Sequence, residues 1–569
     1  MMNRNFTNMK TPRYLLQLVL TFTLCFTMQV IYGQTNIRTV EWTGAVDNSW
    51  TNPGNWLPNT VPVRHDLVII PATDHQPVLS GANRSVGDLQ LMDNVTLTVN
   101  ADASLLIAGE VSGSASAKVI AEWQHIGHQP TALGVPMANY AVKDLAADQV
   151  MLFDGAEQQY IAANQELKAG DGVLMAAFTG DRIVFEGIPN TGIVSTTITG
   201  GAKDQSGTAN GFNLIGNPFL AGVKRTDFVN ANRHLIDGNI WLWASGDLNS
   251  ADGRSSNYIV VNNTGVASVA PRVDELADIG WGYDETQDLI NPMQGFYVLA
   301  QTGANQQLVT FNAAMQATSG RNRFREMRTQ ALQDSTTGCD RLRFTLTPGI
   351  PLERTESVRP YSEVLIGLET DATFGEDYGW DAPKLFGEED FAFYSLQDEK
   401  AYTIQALPRV VAEEVTVDLG FMVKEAWTFT INVTELLNPD GQLFFLLEDR
   451  VTGSVYNLKQ TREITFEVNK PGTINDRFVV RFAPGVVTST SQELLAEWLL
   501  IHASTNGIKL RSNQKSTGRV AVYQLNGAKA FDGLVSFQNQ EASINIPLSP
   551  NQVYVIRMEN EMVKVLVRR

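Results

Sequence analysis

The chain is poor in cysteine: its 569 residues contain two, Cys25 and Cys339. The first lies in an N-terminal apolar run, so loss of that run leaves one thiol and excludes an intrachain disulfide. Stability must then come from packed cores rather than cross-links. Histidine is also scarce, at six residues. His125 and His128 form His-x-x-His beside Trp123, but the glutamate and the helix of a zinc protease are missing, so no metal is expected there. Gly-x-Ser-x-Gly and Gly-x-x-x-x-Gly-Lys-Ser/Thr are both absent, which removes the signatures of a nucleophile elbow and of a phosphate loop. With 61 acidic residues, a glycosidase carboxylate pair cannot be chosen from the sequence. No catalytic residue and no cofactor is predicted.

Long hydrophobic runs are missing with one exception. Arg4, Lys10 and Arg13 precede an apolar stretch from Leu15 to Val30, and Gly33 offers a small residue for cleavage. This reads as a secretory signal peptide over residues 1–33. Gln17, Thr21, Thr23, Thr27 and Gln29 make it a poor membrane span, and Phe22-Thr-Leu24 before Cys25 is a poor lipobox. Formal charge is −18, and loss of the three leading cations with no acid leaves 40 bases against 61 acids, −21. So acidic a surface repels nucleic acid and anionic lipid, and neither is an expected partner, nor is the protein expected to be integral to a membrane.

What is present is strand signal. Val95-Thr-Leu-Thr-Val99, Leu342-Arg-Phe-Thr-Leu346 and Trp427-Thr-Phe-Thr-Ile-Asn-Val433 alternate apolar and polar residues, as half-buried strands do. Gly, Asn, Asp and Pro punctuate such runs. Helical pattern is confined to Glu493–Leu500 and a brief turn near Val142–Val150. The expected fold is all-β: β-sandwich or β-solenoid modules in tandem, with Val86–Val111 suiting a small solenoid or a sandwich edge. After the leader, composition suggests a Trp/Asn-rich module over 34–120 and a Gly/Asn-rich domain over 121–317. A linker follows over 318–339, containing Arg321, Arg323, Arg325 and Arg328, then a sandwich over 340–484, a second linker over 485–504 and a last module over 505–569.

Trp42, Trp50 and Trp56 fall within fifteen residues among Gly, Asn, Asp, Ser and Pro. Indoles stack well on sugars, so the three are candidate ligand-binding residues. The alternative, favoured by the tight turns between them and by the apolar run Leu67–Ile70 that follows, is that they pin a long loop onto a strand. Asp247-Leu-Asn-Ser-Ala-Asp-Gly253 resembles a calcium loop with its last acid one place late and no closing glutamate; a solvated turn is the preferred reading. Asp334-Ser-Thr336 fits a short glycosylation sequon in the linker.

The last segment holds Val520-Ala-Val-Tyr-Gln-Leu-Asn-Gly527, Ile544-Asn-Ile-Pro-Leu548, Val553-Tyr-Val-Ile-Arg557 and Val563-Lys-Val-Leu-Val-Arg-Arg569. Asn526-Gly527 marks a turn between strands. The pattern resembles the type A C-terminal sorting domain of the type IX secretion system of Bacteroidota. Tyr523, Gly527, Tyr554, Lys564, Val565, Arg568 and Arg569 carry the resemblance, although Asn551-Gln-Val-Tyr554 stands where such domains have Gly-x-Tyr. Upstream, Gly211-Phe-Asn-Leu-Ile-Gly-Asn-Pro-Phe219, Ile290-Asn-Pro-Met-Gln-Gly-Phe-Tyr-Val298, Trp380-Asp-Ala-Pro-Lys-Leu-Phe386, Leu446-Leu-Glu-Asp-Arg450 and Asp476-Arg-Phe478 are similar to motifs of large surface proteins that carry such domains, as is Trp42–Pro71. The resemblance implies export through the periplasm to the cell surface or the medium, with the type IX machinery and a surface sortase as partners. It implies no single activity. The expected function is a non-catalytic surface or secreted protein for adhesion, binding or structure, with cell-surface glycans or matrix ligands as candidate partners. The alternative is a secreted hydrolase acting on polysaccharide or protein.

Overall fold

The computed structural model describes residues 37–124, 131–137, 140–142, 145, 149–164, 166–177, 182–200, 211–243, 258–268, 288–301, 303–304, 306–318, 340–349, 361–386, 390–410, 413–484, 499–512, 516–524, 527–538, 541–550, 552–558 and 561–567. The fold is all-β. The chain divides into two compact units, one drawn from residues up to 335, the other from 336–569 together with 254–256 and 264–274.

The first unit begins as a parallel solenoid. Thr39–Trp42, Leu67–Ile70, Leu89–Leu91 and Val111–Gly113 stack in parallel as one face. Val78–Leu79, Thr96–Val99 and Lys118–Gln124 form a second, and Asn83–Val86 with Ser104–Ile107 a third. Ile69 faces Gln90, 21 positions on, and Gln90 faces Ser112, 22 on; Thr98 faces Ile120, again 22 on. Each turn of the chain thus lays one rung on the last, so no rung is stable alone and stacking builds the core. Alternation decides which side chains go inside. Val95, Leu97 and Val99 are buried, while Thr96 and Thr98 are only half-buried.

The boundary expected at residue 120 falls inside the strand Lys118–Gln124. That strand pairs in parallel with Thr96–Val99 and antiparallel with Arg182–Gly187. One hydrophobic core therefore runs from Val40 through Trp123, Leu133 and Phe185. Beyond it, Phe212–Gly216, Gly295–Ala300, Ile236–Trp243 and Tyr258–Val261 lie side by side as antiparallel neighbours. A helix, Arg225–Ala231, drops Phe228 against Phe296 and Phe311. Its seven residues are too few to display a periodic pattern, and its N-terminus has no side-chain cap, so the sequence gives little sign of it. The helix expected near Glu493–Leu500 is not formed at its described end, because Leu499 and Leu500 belong to the strand Leu499–Ser504; residues 485–498 lie outside the described set. Near the expected turn at Val142–Val150, Val150 belongs to the strand Gln149–Asp154.

In the second unit a single sheet curls over one core. Its path runs Ser454–Asn457, Leu443–Asp449, Gly472–Pro484, Val415–Val423, Phe391–Gln397, Lys400–Pro408, Ser362–Glu369, Asp340–Pro348, Thr428–Leu437, Glu463–Glu467. The sheet folds over on itself: Phe466, on the last strand, lies 4.8 Å from Phe478 and 5.4 Å from Phe421, on the third and fourth. Residues 264–268 belong to this unit. Thr264 donates its hydroxyl to the Trp380 carbonyl at 2.6 Å, and the Val266 carbonyl accepts from Arg343 Nη1 at 2.6 Å. Arg343 also pairs with Glu363 and, at 2.8 Å, with Glu435. Residues 503–567 form a second, separate core in the same unit.

Candidate functional site

Trp42, Trp50 and Trp56 do not form a platform. Their exposures are 0%, 0% and 3%, and Trp56 meets Trp42 and Trp50 edge-on at 4.9 and 4.8 Å. Strand Thr39–Trp42 pairs with Trp56–Leu57 on one side and with Leu67–Ile70 on the other. The Trp50 amide bonds the Val78 carbonyl at 2.9 Å, which lays this loop as the first rung of the second face. The indoles therefore close the N-terminal end of the solenoid core, and no ring face is left for a sugar. Asn55, fully buried, ties the loop. Its Oδ1 accepts from the amides of Val46 and Asp47, and its Nδ2 donates to Asp47 Oδ1 at 2.6 Å and to the Ser49 carbonyl. Hydrogen bonds from Asn52, then from Asn55 and the Ser49 amide, hold the Asp47 carboxyl below the usual range.

The two Gly- and Asn-rich motifs of the first unit meet at one junction. The Gly216 amide bonds the Gly170 carbonyl, and the Gly134 amide the Met293 carbonyl. A Cβ on Gly216 would lie 2.0 Å from Gly134 Cα, and one on Gly172 would lie 2.7 Å from the backbone nitrogen of Ile215. Backbone thus packs on backbone, which only glycine permits. Asn217, fully buried, donates to the carbonyls of Ala221, Ile290 and Asn291 and accepts from the Phe219 amide. The motif is a core turn.

In Leu446–Arg450 each charged side chain has a partner: Glu448 binds Arg481 at 3.1 Å, Asp449 binds Arg477 at 3.1 Å, and Arg450 binds Asp418 at 2.9 Å. Arg477 also stacks on Phe466 and Phe478. In the Trp380–Phe386 motif, burial pushes the Asp381 carboxyl up to about 7, against the hydrogen bonds that favour its charged form. Its two oxygens accept the amides of Asp377 and Ala406 at 2.7 Å each, so it braces a loop against the strand Lys400–Pro408. Among the described residues no three His, Cys, Asp or Glu side chains come together as metal ligands, and no helix is long and apolar enough to cross a membrane. His125, His128, Asp247–Gly253, the arginine-bearing linker, Asp334–Thr336 and Cys339 lie outside the described residues.

The last segment is a module of two sheets. One orders Leu499–Ser504, Gly507–Arg511 and Glu541–Ile544; the other orders Lys529–Ser536, Thr517–Gln524, Gln552–Met558 and Glu561–Val567. Even-numbered Val520, Val522, Tyr554, Ile556 and Met558 point into the core with Ile508, Leu510 and Ile544. Of the residues that carry the sorting resemblance, Tyr554 is buried, and its hydroxyl accepts the Ser549 amide at 2.9 Å. Val565 lies opposite Tyr554 and packs on the same core. Gly527 closes the turn from Gln524 to Ala528 at φ +85°. Tyr523 is half-buried, opposite Lys529 on one side and Val555 on the other, and Lys564 lies opposite Val555. Arg568 and Arg569 lie outside the described residues.

On Thr517–Gln524 and Gln552–Met558 the odd-numbered positions place Arg519, Tyr523 and Arg557 on the outer face, and of these only Tyr523 is among the residues that carry the resemblance. Asp532 is held down to about 2 by hydrogen bonds from Arg519 and Lys529 at 2.9 and 2.6 Å. The 71 residues from 499 carry nine bases and four acids, a net +5 against −23 for the rest.

No curated protein matches the chain. A family model described as a domain of unknown function, DUF8693, matches residues 41–123 and 139–482, stopping short of the last module. Because that span covers most of the sequence, the chain belongs to the DUF8693 family.

Proposed function

We propose that this is an exported, non-catalytic surface or secreted protein, serving adhesion, binding or structure, whose last module directs it across the outer membrane by type IX secretion. The observation that carries the reading is the separate core of that module, which meets the preceding domain through a hydrogen bond from Arg511 to the Gly453 carbonyl at 2.8 Å. Residues 503–567 bury their own core, and the family span ends at 482, ahead of them. A sorting module must be separable from its cargo: the cargo core should lose nothing when the tail is removed. Among the described residues, the cores of the two larger assemblies contain no side chain from the tail. The charge contrast points the same way, since a basic tail on an acidic body offers a receptor something the body lacks.

For the cargo, we favour adhesion, binding or structure over hydrolysis. The distinctive residues of its motifs act as packing and bracing groups: Asn55, Gly216, Asn217, Arg343 and Asp381 are engaged by backbone or by opposite charge. Deletion of residues 505–569, with fractionation of the producing cells, tests the sorting role: the shortened chain should be folded and held in the periplasm. Its appearance outside at the level of the full chain would overturn the reading. Turnover of a polymer substrate by residues 34–484, abolished by one Asp or Glu substitution, would overturn the non-catalytic part.

A further inference from the structure

The four-stranded sheet of the last module leaves one face out of the core. Register fixes what stands on it. Arg519 lies opposite Leu534; Asp532, Ala521 and Arg557 form the next row; Lys529, Tyr523 and Val555 the row after. Leu534 is 75% exposed and the Arg519 side chain 73%. The face therefore alternates cations with apolar side chains, with Asp532 as the one acid among these positions. With Leu534 exposed on the edge strand opposite Arg519, and Tyr523 and Val555 in one row with Lys529, apolar groups and bases share this face, the composition of a contact surface rather than of a solvated face. The ion pairs of Asp532 with Arg519 and Lys529 lie at the surface, where both cations stay solvated, and contribute little to stability, so they do not explain why the bases gather there.

Resting on the sorting reading above, we propose that this outer face, centred on Arg519, Tyr523 and Arg557, is the docking surface by which the module is read, and that its occupant is an acidic protein surface with an apolar centre. Tyr554 and Val565, which the sorting resemblance also marks, act only through the core. Charge complementarity selects the partner. A basic and apolar face is steered to an acidic surface and held there by desolvated Leu534 and Tyr523, while the −23 body is repelled by that same acidic surface. The tail is then presented and the cargo kept clear.

The test compares full chains in cells that export the protein. Arg519→Glu and Arg557→Glu, singly and together, reverse charge on the face; Lys509→Glu makes the same change at an exposed position of the other sheet. The double variant should show at least a tenfold rise in the periplasmic fraction, with an unchanged melting temperature, and Lys509→Glu should be exported normally. Export of a folded double variant at the normal level overturns the inference. If the double variant does not fold, Arg519→Gln/Arg557→Gln carries the same expectation at smaller amplitude, and its normal export overturns the inference equally. If Lys509→Glu is trapped to the same degree, net charge and not this face is read. If the 505–569 deletion is itself exported, the sorting reading fails; if the deletion is trapped while the double variant is exported, only the assignment of the face fails. Binding of the purified full chain to phosphatidylglycerol vesicles, lost in the double variant, would assign the face to a membrane instead of a protein.

Discussion

Replacing Trp50 with alanine removes a fully buried indole from the end of the solenoid core and takes with it an edge-on contact to Trp56 at 4.8 Å. Truncations of buried Trp or Phe cost about 3–5 kcal/mol, including the cavity left behind. For a unit of this size, about 2–4 °C of melting temperature is lost per kcal/mol, so a fall on the order of 10 °C is expected for the first unit. A comparison between two conservative replacements sharpens the reasoning. Trp50 Nε1 is buried without a hydrogen-bond partner among the described residues, whereas Trp42 Nε1 donates to the His75 carbonyl at 2.8 Å. Trp50→Phe therefore gives up volume but relieves an unsatisfied donor, a penalty of about 1–3 kcal/mol. Trp42→Phe gives up volume and a hydrogen bond. Trp50→Phe should be the milder of the two. Thermal unfolding and amide exchange over 39–42 and 67–70 provide the assay, since opening should be confined to the rungs beside the plug. If Trp50→Ala leaves melting and exchange unchanged and instead abolishes binding of a glycan, the indoles are a platform and the packing account is refuted.

Three further outcomes follow from the geometry. Gly216→Ala and Gly172→Ala push a methyl into facing backbone and should cost more than the about 1–3 kcal/mol of ordinary overpacking, because backbone cannot yield as a side chain does; exposed Gly375, outside the positive-φ region and with its Cβ site meeting only the Thr373 hydroxyl at 3.4 Å, is the control for chemical denaturation. Asp381 should make the second unit less stable as pH rises. Its folded value of about 7 lies above an unfolded value near 3.9, so the folded state holds the extra proton between them. Stability present at pH 4 is then lost through pH 7, by up to about 4 kcal/mol, and a plot of melting temperature against pH should flatten in Asp381→Asn. Removal of Arg343 takes a close cation from the buried carboxylates of Glu363 and Glu435 and leaves Glu435 the longer pair with Arg341 at 3.7 Å, so Arg343→Met should destabilise the second unit by about 3 kcal/mol in urea titration.

Individual strands were legible because burial follows alternation. Val95–Val99 and Trp427–Val433 each lie within or beside a strand whose alternate side chains are inside, and in Leu342–Leu346 the alternate apolar residues enter the core although Arg341 and Thr345 on the other face are buried as well. The turn at Gly527 and the buried turn at Asn217 were legible for the same local reason: a residue type that tolerates or supplies a special backbone geometry. Partnership was not legible. Nothing in Lys118–Gln124 says that it serves a parallel stack on one edge and an antiparallel strand on the other, so a boundary drawn from composition at residue 120 cut through a core. The inclusion of 264–268 in the second unit is equally invisible, because it depends on Arg343, some eighty residues away, needing a carbonyl. The rungs repeat at 20 to 22 positions after a first step of 28, without repeating residue types, so no sequence repeat marks them. At the last module, the motif residues divide into those that build its core and those on its outer face, and only the register separates the two.

The most direct test of the central claim is the intact mass of the exported protein. If the last module is a sorting device removed at the surface, the exported chain ends ahead of residue 505, within 485–504, while the periplasmic precursor retains Arg569. An exported chain that still ends at Arg569 and a 505–569 deletion that reaches the medium would together contradict it.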